Sequence, residues 1–169
     1  MHSEDTKGSP WKGLAAGLIG GLVATWAMTQ FQTFLTNLEK EAGGESEGGE
    51  GENATVRAAE AISSGVLRRE LPEDEKEAAG TAVHYGFGTL VGGAYGAMAE
   101  VAPVVTAGRG FPFGAAVWLG ADEIAVPALG LSQKPGEIPA RKHAGFLAMH
   151  LVYGGILELA RSGVRRLLR

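Results

Sequence analysis

GFPFGAAVWLGADEIAVPALGL, residues 110–131, carries no charge through its first twelve positions, then sets Asp122 beside Glu123 and returns to apolar residues. These 22 residues match the ~20 that a helix needs to cross a bilayer. Two carboxyls in the middle of such a run are costly, so they must face protein, water or each other. Pro127 has no amide hydrogen to offer the Glu123 carbonyl four residues back. A kink or break is therefore expected beside the acid pair. Irregular backbone at membrane depth lines a cavity or packs inside protein. A helix that stops early, at the interface, is the other outcome.

Outward from this stretch, charge and hydropathy separate along the chain. No Asp, Glu, Lys or Arg occurs from Gly13 to Leu38, and none from Ala78 to Ala99. Of the 27 glycines, ten fall inside these two runs. In a soluble helix each interior glycine costs roughly 1 kcal/mol against alanine, whereas membrane helices use small residues to approach closely. The first span, about 12–36, carries Gly13, Gly17 and Gly21 at four-residue spacing. In the second, about 77–101, Gly88, Gly92 and Gly96 form a groove with His84 at one end and Glu100 at the other. The fourth, about 143–160, opens on His143 and carries His150, Gly154 and Glu158. The fold predicted is an all-α integral membrane bundle, a single domain over 1–169 with four transmembrane helices at these positions and at 110–131.

Residues 39–53 hold six Glu and one Lys among glycines and read as a solvated acidic loop. A calcium site there lacks the alternating ligands of a helix–loop–helix hand. Over 54–70, Val56, Ala59, Ile62 and Val66 share one helical face and Arg57, Glu60, Arg68 and Arg69 lie elsewhere. That pattern predicts a short amphipathic helix at the membrane surface or capping the bundle. Pro72 with Glu73, Asp74 and Glu75 then marks a helix start.

The chain contains no cysteine, which removes disulfides, thiol catalysis and cysteine-bound zinc. A net charge of −4 gives no support for nucleic-acid binding. Phosphate-loop, nucleophile-elbow and paired-histidine protease motifs are absent, so an enzyme is not the expectation. Lys7 and Lys12 precede a run too long for a signal core, which reads as an uncleaved first span. Arg161, Arg165, Arg166 and Arg169 next to the last span favour a cytoplasmic C-terminus. Four crossings then place the N-terminus on the same side, although Lys134, Arg141 and Lys142 act against that orientation. A short echo, His84-Tyr-Gly-Phe against His143-Ala-Gly-Phe, suggests a 2+2 parallel repeat.

The second half resembles the YagU-like family of small bacterial inner-membrane proteins, whose biochemical function is undefined. The resemblance rests on His84, Gly88, Tyr95-Gly96 and Pro103, then Gly110, Phe113-Gly114, Trp118, Glu123-Ile124 and Pro127. It continues through Leu129-Gly130-Leu131, Pro135, Glu137, His150 and Tyr153-Gly154. The acidic tract at 39–53 departs from the proline-rich sequence expected there in the family. The resemblance implies a helical inner-membrane protein and carries over no catalytic residue.

Six ionisable residues fall at membrane depth or near its edges: His84, Glu100, Asp122, Glu123, His150 and Glu158. In one reading they pair with one another and fix the register of the helices, in an accessory or structural membrane protein. In a second they handle protons or a cation. In a third His84, with His143 or His150, ligates a b-type haem or a metal; otherwise no cofactor is expected. Adjacent carboxyls point about 100° apart on a helix, which assigns Glu123 to His150 or His84 and Asp122 to the wetter side. The first reading is preferred. Its partners are the lipid bilayer and, within it, a second copy or another membrane protein.

Overall fold

A computed structural model describes residues 9–41 and 50–168, and among them every regular element is helical. Helix α1 (Pro10–Glu41) occupies the middle of the bundle, with α3 (Glu73–Val101) on one flank and α6 (Ala140–Leu167) on another. Helix α4 (Phe111–Trp118) lies on α6, and α2 (Glu50–Ile62) lies on α3. Of these, α1 and α6 are long and apolar enough to cross a membrane by length and composition. Among the described residues two helices meet that test, where four were expected. Glycine, His84, Tyr85 and Thr89 dilute the hydropathy of α3, and 110–131 is not one helix.

That third stretch breaks where the acids sit. α4 ends at Trp118, the backbone widens into a π-helical stretch over Leu119–Ala125, and a single turn, α5 (Val126–Ala128), follows. Wide turns of this kind often occur at functional positions in helices. Gly130, at φ 71°, then ends the segment. Its amide bonds the Pro127 carbonyl and the Leu131 amide bonds the Val126 carbonyl, both at 3.0 Å. This pair of bonds, with a left-handed glycine, is the Schellman stop.

Other boundaries move too. α1 runs on through Glu41 and α2 begins at Glu50, so both ends of the expected 39–53 loop are helical; residues 42–49 lie outside the described residues. The amphipathic segment 54–70 becomes the end of α2, a wide turn at Ser63–Leu67 and a short link. α2 packs on the start of α3: Val56 sits over Gly80, and Lys76 of α3 bridges Glu60 of α2 at 2.9 Å and Glu73 at 2.6 Å. Those two carboxylates hold the Lys76 ammonium above the ordinary lysine range.

Glycine sets the helix spacing. A Cβ placed on Gly13, Gly17 or Gly21 would strike the carbonyl oxygen of Gly96, Gly92 or Gly88 in turn. α1 and α3 are therefore antiparallel and in backbone contact. Gly154 makes a second such seam, facing Gly110 and Gly114 of the third stretch. Gly20 lies against the backbone of α6 at Leu157 and Arg161. The chain thus forms two antiparallel glycine-packed pairs, α1/α3 and α4–α5/α6, running in the same direction. The letters of the repeat do not follow this packing, because His150, not His143, stands four residues before a seam glycine as His84 does.

Large side chains point the other way. Ile19, Leu22, Val23 and Trp26 on α1, and Phe87, Leu90, Met98 and Val101 on α3, are exposed. The buried centre holds Ala24, Met28, Tyr95, Met149, Tyr153 and Leu157. Glycine seams and polar partners share the interior with these few large side chains, while many bulky apolar groups are left outside, a surface that water-soluble monomers rarely present.

Candidate functional site

The polar residues gather along the inward face of α6, from His143 to Arg165. At 1.5 Å per residue that is about 33 Å, close to the ~30 Å of a hydrocarbon core. Three groups of contacts occupy it.

At the end where the described chain begins, Glu100 accepts two bonds from Arg165, Nε at 2.7 Å and Nη2 at 3.0 Å. The Ser9 amide donates to the same carboxylate at 2.9 Å. One turn inward, Arg161 donates Nε and Nη2 to the two oxygens of Glu158, each at 2.8 Å. The Tyr95 hydroxyl donates to Glu158 at 2.8 Å, and the Arg161 guanidinium lies 5.9 Å from the centre of the Tyr95 ring. Forked pairs of this type carry geometry as well as charge. Ser9 and Arg165 meeting on one carboxylate also puts the first and last helices' outer ends together.

In the middle, the Tyr153 hydroxyl donates to the Gly88 carbonyl at 2.6 Å. Thr25 and Thr29 bond back to the carbonyls of Gly21 and Thr25. Thr29 Oγ1 stands 3.5 Å from His84 Nε2. His150 Nδ1 is 2.9 Å from the Phe146 carbonyl and 3.6 Å from an Asp122 oxygen. The Trp118 indole N–H is buried with no hydrogen-bond partner among the described residues.

At the far end, His143 Nδ1 lies 2.6 Å from Glu123 Oε1, and its Nε2 lies 3.0 Å from the Pro135 carbonyl. Arg141 in the same turn of α6 reaches Glu39 of α1 at 3.2 Å.

The assignment of the acid pair is therefore corrected. Glu123 meets His143 rather than His150 or His84, and Asp122 is the residue near His150. The π-helical backbone fans the two acids toward histidines seven residues, or about 10.5 Å, apart on α6. Asp122 is the wetter of the two, 33% exposed against 14% for Glu123. Glu100 and Glu158 join arginines, away from the acid–histidine groups, so the six residues form separate clusters. Tyr95, Tyr153, Arg161 and Arg165 were missed as partners. Arg161 was legible, since it follows Glu158 by three residues; the Arg165–Glu100 contact had no local signal. Among the described residues no group of three or more His, Asp or Glu is arranged to hold a metal ion.

The family match covers residues 69–159, more than half the chain, and is to DUF1440, described as a protein of unknown function. The chain belongs to that family. The matched region takes in α3, the α4–α5 stretch and α6 through Leu159, so it includes both acid–histidine contacts and the Tyr95–Glu158 bond. Comparison with curated proteins and with solved structures gave no match.

Proposed function

We propose that the chain is a multi-pass protein of the bacterial inner membrane whose polar residues act as structural clamps between closely packed helices. The single observation that carries this reading is the set of large apolar side chains left exposed around glycine-packed seams, among them Leu22 and Trp26 on α1 and Phe87 and Leu90 on α3. Four segments cross in it: α1, α3, the α4–α5 stretch and α6. α2 sits at the membrane surface against α3. Both termini lie on the cytoplasmic side. The resemblance to YagU-like proteins supports the same location.

The clamp role rests on the pairing of polar groups across the helix contacts. Glu100, Glu158, Glu123 and Tyr153 each have a partner within 3.0 Å. A buried charge that is fully paired fixes register, and an unpaired one is costly. The protein then serves as an accessory or structural element for the bilayer, a second copy or another membrane protein. No enzymatic step and no cofactor belong to this reading.

Two measurements on one preparation test it. Proteoliposomes of the wild type should show no proton flux above protein-free vesicles between pH 5 and 8, the range in which histidine titrates. Glu100→Gln should lower the melting temperature in detergent, because Arg165 loses its counter-charge. A proton flux that Asp122→Asn abolishes, with unchanged stability in Glu100→Gln, would overturn the structural reading in favour of proton handling.

A further inference from the structure

His143 stands in the first turn of α6 with an acceptor at each ring nitrogen: the Glu123 carboxylate at Nδ1 and the Pro135 carbonyl at Nε2. A neutral imidazole has one N–H and one bare nitrogen. It cannot donate to both partners while Glu123 is ionised. Both bonds exist only when the His143–Glu123 couple holds one further proton. That proton sits on the ring as imidazolium, or on the carboxyl, which then donates to Nδ1 while Nε2–H bonds Pro135. Once it leaves to water, a bare ring nitrogen faces an oxygen lone pair at one of the two contacts.

These partners come from three separate pieces of chain. Glu123 belongs to the π-helical stretch, Pro135 to the link between α5 and α6, and His143 to α6. The link is otherwise folded on itself, with the Glu137 amide on the Lys134 carbonyl at 2.9 Å and the Ile138 amide on Pro135 at 3.2 Å. The charged groups around the couple are Asp122 on the π-helical stretch, Lys134 and Glu137 in the link, and Arg141, Lys142 and His150 on α6. Glu39 of α1 is engaged by Arg141. Histidine titrates across the physiological range, so the couple can change state under ordinary conditions.

We propose that the proton shared by His143 and Glu123 is a pH-operated latch, which holds the α5–α6 link and the π-helical stretch against α6 and releases them as pH rises. The latch goes beyond the clamp reading, and it works the same way whether or not the bundle conducts protons.

The test uses the full chain in detergent or nanodiscs. Because it contains no cysteine, Gly136→Cys supplies one attachment point for a nitroxide spin label. A side chain at Gly136 meets nothing within 4 Å. The label in the otherwise wild-type chain should report a single restrained-backbone component at about pH 5.5 and gain a more mobile component at about pH 8.5, on either side of the histidine range. Glu123→Gln should abolish the change with the link closed at both values, because the glutamine amide donates to a bare Nδ1 while Nε2–H keeps Pro135. His150→Gln should leave the change intact. A wild-type spectrum identical at both pH values overturns the latch. So does a mobile component at high pH that persists in Glu123→Gln, or a response lost in His150→Gln.

Discussion

Gly92→Ala adds one methyl group to α3 and should force that helix away from α1. An ideal Cβ at Gly92 lies 2.5 Å from the Gly21 Cα, 2.6 Å from the Gly17 oxygen and 2.8 Å from the Gly21 nitrogen. All three are backbone atoms of α1, so no side chain can swing aside. An ordinary carbon contact is about 3.5–4.0 Å, and the α1–α3 seam must open by roughly 1 Å. Over-packing of this kind typically costs about 1–3 kcal/mol. For a chain of this size each kcal/mol shifts the melting temperature by about 2–4 °C. Gly86, on the same helix, is the internal control, since a Cβ there meets nothing within 4 Å. Gly86→Ala should be neutral or gain up to ~1 kcal/mol from helix propensity. The assay is thermal unfolding of both variants in one detergent. If Gly92→Ala melts with the wild type, or Gly86→Ala is the weaker of the two, the glycine seam is misplaced.

Two further outcomes follow from the polar contacts and a third from the basic C-terminal tail. A double-mutant cycle on Glu100 and Arg165 should give a coupling of about 0.5–3 kcal/mol; additive losses would mean that the forked pair does not hold α3 to α6. Tyr153→Phe removes the bond to the Gly88 carbonyl and should cost about 0.5–1.5 kcal/mol, read from the same melting curves. Topology reporters placed after Arg169 and within 43–52 should report opposite sides, the first cytoplasmic; a periplasmic signal after Arg169 reverses the orientation.

Periodicity made the helices legible. The Gly13-Gly17-Gly21 and Gly88-Gly92-Gly96 stripes mark a seam, because four-residue spacing of small residues has few other uses in a long apolar run. Pro127 beside Asp122 and Glu123 announced irregular backbone, but not its form. The π-helical turn follows a segment packed on α6 through Gly114 and Gly154, contacts 40 residues apart in sequence that no local pattern reveals. The same turn redirected the acids, so reasoning from a 100° step paired Glu123 with the wrong histidine. His143 looked peripheral because its second acceptor is a backbone carbonyl, at Pro135, which no side-chain pattern reveals. The arginine partners of Glu100 and Glu158 differ for the same reason. One is local at three residues, and the other needs α3 and α6 to be parallel neighbours.

The central claim is that the outward faces of this bundle meet lipid. Leu22 on α1 is 50% exposed and Leu90 on α3 is 69% exposed, and each can be replaced singly by a spin-labelled cysteine in nanodiscs. Collision rates with oxygen, which concentrates in hydrocarbon, are compared with those of a water-soluble nickel chelate. Labels at both positions should collide readily with oxygen and rarely with the chelate. Chelate collision at both sites as frequent as at a label on Gly136 would place these faces in water and contradict the membrane-bundle account.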